Sequence, residues 1–198
     1  AVYDLVLSLS FTNNKVNVSE WIKKYIQYRY GTFNQSIYDA WLIFLQTAYY
    51  SNEKQEGLPE SFFCARPGVD VKSASTWGSG KRYYDLELFK KGVRLFLSAE
   101  NKFATSETYQ VDKVDFLRQV IANNGSVAYE KMNDAIKDKN LSAFKNQSAI
   151  FLNYLLLQDS LLSTNKYFKL STWLLQAEKI GARDSDKKLA IKKERASV

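Results

Sequence analysis

The residues best suited to bind a ligand lie in one irregular segment, at about residues 51 to 82. Arg66 carries a guanidinium that can donate to a carboxylate, a backbone carbonyl or a sugar hydroxyl. Glu60 offers a carboxylate in the same segment, and the flat ring of Trp77 can stack on a sugar face. Arg66 can instead support the loop, and Trp77 can instead anchor it to the helical bundle. From the residue types alone we favour these structural roles. The segment therefore holds three candidate binding residues.

The composition excludes several kinds of catalytic chemistry. The 198 residues include no histidine, which removes imidazole as a general base, a metal ligand and a triad member. The single cysteine, Cys64, cannot form an internal disulfide or a thiolate zinc site. The Trp-Gly-Ser-Gly run at 77–80 follows no predicted strand, so it is not a nucleotide-binding glycine loop. The sequence predicts no metal, no cofactor and no self-contained active site.

The carboxylates do not form a matched catalytic pair. Asp112 and Asp115 flank Val114, and Arg118 lies three residues after Asp115, where the two can pair along a helix. We interpret this arrangement as a surface ion pair.

The net charge of +7 is unevenly distributed, because residues 179–198 alone supply +4. A basic stretch of this kind can bind nucleic acid. No aromatic residue lies among these charges, however, and a solvated last helix is the interpretation we favour. No apolar run approaches the roughly 20 residues of a membrane span. We therefore expect neither a nucleic-acid partner nor a transmembrane segment.

The segment at 51–82 follows a predicted helical hairpin. Trp21, Ile22 and Tyr25 recur at the spacing of one helix face. Asn17 is placed as the N-cap of this helix, and Gly31 stands where a helix ends in a left-handed residue. A second amphipathic helix is predicted to begin near 34–36.

Helical periodicity resumes after the irregular segment and continues to the end of the chain. The pattern from 111 to 136 predicts one long helix, or two in line that are broken near 123–125. Residues 183–198 are predicted to form a truncated final helix. We predict an all-α fold, an irregular bundle of about seven or eight helices with one long loop at about 51–82. The whole chain, 1–198, is predicted to be a single helical domain.

A set of landmarks in fixed order spans nearly the whole chain. They are Tyr3-Asp4-Leu5, Trp21, Arg29-Tyr30-Gly31, Ala40-Trp41, Thr47-Ala48-Tyr49, Ala65-Arg66-Pro67, Tyr109, Val114-Asp115, Arg118-Gln119, Asp159, Leu161-Leu162-Ser163-Thr164 and Phe168 to Leu174. In this order the landmarks resemble the C-terminal helical region of the α-N-acetylglucosaminidases, glycoside hydrolase family 89. The resemblance depends on their order and on no single motif.

The resemblance implies a function for the whole enzyme. In that family a (β/α)8 barrel of the same polypeptide carries the two carboxylates of a retaining mechanism, and the helical domain packs on the barrel. The chain is then expected to help wall the pocket for a terminal α-linked N-acetylglucosamine, with Arg66, Glu60 and Trp77 as candidate sugar contacts. The resemblance also implies an extracytoplasmic location, whether periplasmic, secreted or lysosomal.

Two further expectations concern the extent of the chain and its class. The chain begins at Ala1 without a methionine, and Val2, Leu5 and Leu9 have the spacing of mid-helix positions. We therefore expect a fragment of a longer glycosidase that is inactive alone. The alternative is a free-standing helical interaction or carbohydrate-binding module.

Overall fold

The predicted all-α class is confirmed. The computed structural model describes residues 1–11, 15–50, 61–75 and 82–181. Within these ranges there are seven α-helices, three short 3-10 helices and no strand. The predicted final helix at 183–198 lies outside the described residues. The α-helices are α1 (Val2–Ser10), α2 (Val18–Tyr30), α3 (Gln35–Gln46), α4 (Leu86–Leu97), α5 (Glu107–Lys137), α6 (Leu141–Ser163) and α7 (Leu170–Gly181).

The ends of the first hairpin follow from the residues that cap them. The Asn17 side chain accepts a hydrogen bond from the backbone N–H of Glu20 at 3.2 Å, which fixes the start of α2. Gly31 ends this helix with φ at +88°, a left-handed conformation that glycine adopts at little cost. Asn34 caps α3 by accepting from the N–H of Ile37 at 3.0 Å. Both predicted helices of the hairpin are therefore confirmed.

The described residues fall into two compact units, and the first comprises Ala1–Lys54 and Tyr83–Phe116. Its core is aromatic. The ring centroids of Phe44 and Phe116 are 4.4 Å apart, and those of Phe96 and Tyr109 are 4.5 Å apart and stacked. Trp41 packs edge-on against Phe116 at 5.9 Å. Such pairs add about 0.5–1.5 kcal/mol each beyond the area that they bury.

The second unit comprises Gln55–Arg82 and Leu117–Val198. In its described part the long helix α5 runs without interruption through Asn123 and Gly125, which confirms one long helix over the alternative of two in line. Packing explains why position 125 is a glycine. A Cβ at this position would lie 2.3 Å from the ring of Phe63, so only glycine leaves room for that ring.

Helix α6 has an unusual distribution of apolar side chains. None of its residues is fully buried, although it is 23 residues long and rich in leucine. Leu152 and Leu156 lie one turn apart and are 59% and 68% exposed. Trp173 and Leu175 of α7 are also more than half exposed. This unit therefore leaves large apolar side chains on its surface.

None of the described helices is both long enough and apolar enough to cross a bilayer.

Candidate functional site

The described part of the irregular segment, residues 61–75, is held against helix α5 by two aromatic side chains. Phe62 stacks on the ring of Tyr129 with a centroid distance of 4.5 Å. Phe63 lies against Gly125 and packs edge-on against Phe151 of α6 at 5.3 Å. Two adjacent rings therefore attach the segment to the second unit, Phe62 through α5 and Phe63 through α5 and α6.

A pair of polar side chains on α5 holds the next part of the same segment. The Tyr129 hydroxyl donates to the carbonyl of Gly68 at 3.0 Å and accepts from the N–H of Val71 at 2.7 Å. The Asn133 side chain accepts from the N–H of Asp70 at 3.2 Å. Asp70 has φ at +56°, a left-handed conformation that aspartate tolerates better than most residues. Three backbone groups of a tight turn are therefore bonded to one face of α5.

Arg66 lies between these two attachments and is solvent exposed. Pro67 follows it, and a proline restricts the conformation of the residue before it to extended forms. An exposed guanidinium on a fixed backbone can donate to sugar hydroxyls or to an amide carbonyl. The other two candidates from the sequence, Glu60 and Trp77, lie outside the described residues. Their roles stay predictions.

A second polar cluster on α5 was missed by the sequence analysis. Asn123 and Ser126 are almost fully buried, and Arg82 donates to both side chains, at 3.2 and 3.3 Å. Gln119 donates to the same Asn123 oxygen at 2.9 Å. The signal was present, because polar residues at 119, 123 and 126 recur at helical spacing. The Asn-Asn-Gly run had left open the alternative of two helices in line, broken near 123–125.

The first unit contains an ion pair that sequence reasoning also missed. Arg29 donates two hydrogen bonds to the Asp112 carboxylate, each 2.5 Å long, and the Tyr30 hydroxyl donates a third at 2.7 Å. Asp112 is only 13% exposed and Arg29 is 29% exposed. The Thr108 hydroxyl donates to the backbone carbonyl of Arg29. These contacts join α2 to the start of α5.

The pKa shifts around this ion pair are those of a structural ion pair, a role that joins two helices. The hydrogen bonds from Arg29 to Asp112 raise the pKa of the guanidinium and keep it charged. Burial, together with the negative charge of Asp112, raises the pKa of Tyr30 well above its ordinary value. Burial also raises the pKa of Tyr49 to about 12. None of these three side chains is poised to exchange a proton near neutral pH, so this joint is not an acid–base site.

The described residues also lack a metal site, because they contain no group of three side chains that could hold an ion. What they offer is an exposed, well-supported arginine and a surface of apolar side chains. That combination suits contact with a ligand or a larger protein.

Comparison with known protein families decides what kind of chain this is. A family profile described as the α-N-acetylglucosaminidase (NAGLU) C-terminal domain matches residues 21–196. The chain belongs to this family. The family resemblance drawn from the ordered landmarks is thereby confirmed.

Two relatives show where this family domain occurs. The human α-N-acetylglucosaminidase is 27% identical over 189 residues, which is 93% of this chain and 24% of the human protein. A family 89 glycoside hydrolase from Clostridium perfringens is 37% identical with a TM-score of 0.84, over 89% of this chain and 20% of that one. Its structures include complexes with its substrate, GlcNAc-α-1,4-galactose, and with PUGNAc. The chain thus spans no more than about a quarter of these relatives.

Proposed function

We propose that this chain is the accessory C-terminal domain of an exo-acting, retaining α-N-acetylglucosaminidase. The observation that carries the proposal is the family match over residues 21–196. The likeness to a bacterial enzyme described in complex with GlcNAc-α-1,4-galactose supports the same substrate class, a terminal α-linked N-acetylglucosamine. In this proposal the two carboxylates of the retaining mechanism, roughly 5 Å apart, belong to a (β/α)8 barrel elsewhere in the polypeptide.

The proposed role of the domain is to pack on that barrel and to help wall the sugar pocket. The apolar surface of α6 supports this role, because soluble proteins rarely leave contiguous apolar patches uncovered unless they bind something. Leu156, at 68%, is the most exposed leucine of the helix, and Leu152 is 59% exposed. Buried against a barrel, each side chain would contribute about 1.5–3 kcal/mol.

Arg66 is the residue of the described part that we assign to the pocket wall. Its guanidinium is exposed, and the turn on either side of it is attached to α5. A planar fork of donors suits the hydroxyl and acetamido oxygens of the sugar. Glu60 and Trp77 remain further candidates for sugar contact. We also propose an extracytoplasmic location for the parent protein, on the strength of family membership alone.

The first experiment tests activity. The intact parent polypeptide and the isolated chain, residues 1–198, are each assayed on an aryl α-N-acetylglucosaminide, and the anomeric configuration of the first product is followed by NMR. We expect turnover with retention for the intact protein and none for the isolated chain. Turnover by the isolated chain that survives repurification contradicts the proposal, as does an inactive parent.

A second experiment tests the docking surface. Leu156→Lys in the parent protein should lower activity and the melting temperature, because a charge placed in an apolar interface costs several kcal/mol unless it reaches water. Asn146→Lys is the matched control, since it adds the same charge at an exposed polar position of the same helix. Equal effects of the two substitutions would argue against α6 as the surface that meets the barrel.

A further inference from the structure

The turn that follows Arg66 depends on one side chain for two of its hydrogen bonds. Tyr129 is 5% exposed, and its hydroxyl uses its one proton on the carbonyl of Gly68 and a lone pair on the N–H of Val71. The hydroxyl acts as donor and acceptor at once, and an apolar residue in its place can make neither bond. Asn133, one helical turn further along α5, accepts from the N–H of Asp70 between them.

The chain before Arg66 is attached to the same helix by different means. The rings of Phe62 and Phe63 pack against Tyr129 and Gly125. Arg66 is therefore three residues beyond one attachment and two residues before the other. Contacts with α5 therefore flank Arg66 on both sides in the chain, while Arg66 itself is exposed to solvent.

We propose that Tyr129 and Asn133 are positioning residues through which α5 orients Arg66 toward the sugar. This inference rests on the proposed function, in which Arg66 contacts the terminal N-acetylglucosamine. Neither side chain touches the ligand in this proposal. They act by ordering the turn before the ligand arrives, so that binding does not have to supply that ordering.

The kinetic consequence differs from that of a catalytic residue. A loop that is ordered in advance strengthens the binding of substrate and transition state alike, so its loss raises KM and leaves kcat nearly unchanged. We expect Arg66→Ala in the parent protein to raise KM for an aryl α-N-acetylglucosaminide about tenfold, the value of one hydrogen bond to a charged group. Tyr129→Phe should raise KM about threefold to fivefold, the value of a neutral hydrogen bond.

The decisive measurement is the double variant Arg66→Ala/Tyr129→Phe. If Tyr129 acts through Arg66, the double variant should have the KM of Arg66→Ala alone, because there is no guanidinium left to position. Tyr129→Phe keeps the ring that stacks on Phe62, so the fold is spared. Tyr28→Phe is the matched control, since it removes the same hydroxyl from a side chain that is 87% exposed on α2. It should leave KM unchanged.

Amide hydrogen exchange of the parent protein provides a readout that is independent of activity. Tyr129→Phe should accelerate exchange of the Val71 amide, and Asn133→Ala that of the Asp70 amide. Unchanged exchange overturns the inference, and so do effects of Arg66→Ala and Tyr129→Phe on KM that simply multiply. An unaltered KM in Arg66→Ala removes the sugar role of Arg66 and the inference with it. A wild-type parent that is inactive on the glycoside refutes the proposed function itself.

Discussion

The two compact units differ in how their helices are stabilised. In the unit formed by 1–54 and 83–116, α3 and α4 turn large aromatic side chains into a common core, and a bidentate ion pair joins α2 to α5. In the other unit, α6 has no fully buried residue and the turn at 68–71 is held by single hydrogen bonds. The first unit has the construction of a scaffold. The second leaves large apolar side chains on its surface, which is what the proposed docking role requires.

The largest loss of stability is expected from breaking the ion pair of the first unit. Asp112→Ala leaves Arg29 and the Tyr30 hydroxyl without their shared acceptor, and removing one partner of a largely buried pair costs about 3 kcal/mol. Asp134→Ala in the second unit is the control, because Asp134 and Lys137 are both about two-thirds exposed. Urea unfolding of the chain followed by circular dichroism measures both. Equal losses would remove the contrast between the units.

A smaller effect is expected from alanine substitution of the two glycines that lie against aromatic rings. A Cβ on Gly92 would lie 2.8 Å from the fully buried ring of Phe44, and overpacking of such a core costs about 2 kcal/mol even after the helix gain of alanine. A Cβ on Gly125 would come even closer to Phe63, but that ring is only half-buried and belongs to a short 3-10 helix, Phe62–Cys64. We expect Gly125→Ala to cost about 1 kcal/mol.

Thermal and urea unfolding of the two alanine variants tests this order. The change in near-ultraviolet circular dichroism should report ring displacement in both. If Gly125→Ala proves more costly than Gly92→Ala, then the loop of the second unit is as rigidly packed as the core of the first.

The smallest effect concerns alkaline pH. Burial raises the pKa of Tyr109 above its ordinary value near 10, and its hydroxyl donates to the carbonyl of Phe96 at 2.8 Å. Above pH 10 the unfolded chain releases this proton first, so stability is fully present below pH 10 and falls as pH rises. Tyr109→Phe should lose about 1 kcal/mol at pH 8. It should also flatten the decline above pH 10 by up to about 1.4 kcal/mol per pH unit.

Urea unfolding between pH 8 and 11.5 gives both slopes. Tyr28→Phe, exposed on α2, is the control and should leave the slope of the wild-type chain intact. A variant slope as steep as that of the wild-type chain would mean that other groups carry the alkaline loss.

Local signals explain which parts of the fold could be predicted. The ends of α2 depend on Asn17 and Gly31, which act within a few residues, so their spacing in the sequence was sufficient. The bond between Arg29 and Asp112 joins positions 83 residues apart, and no local pattern indicates it. The sequence pattern pairs Asp115 with Arg118 along the helix and indicates no partner for Asp112. For Asp112 the structure gives a partner on α2 instead.

The site was predictable only in part, for a related reason. Arg66 stands out because of its type and the proline beside it, and the structure leaves it exposed as a ligand contact requires. Tyr129 has no such signal, since a tyrosine on a helix face is usually a core residue. Its role depends on the turn that it meets 58 residues away.

The contact between Gly125 and Phe63 has a consequence for how this domain can diverge. The two positions are far apart in the sequence, yet the ring of one occupies the space of a side chain at the other. Alanine at 125 would be favoured by helix propensity as soon as residue 63 became smaller. Lineages of the domain should therefore exchange the two residues together, and a chain with both alanine at 125 and a large ring at 63 should be rare.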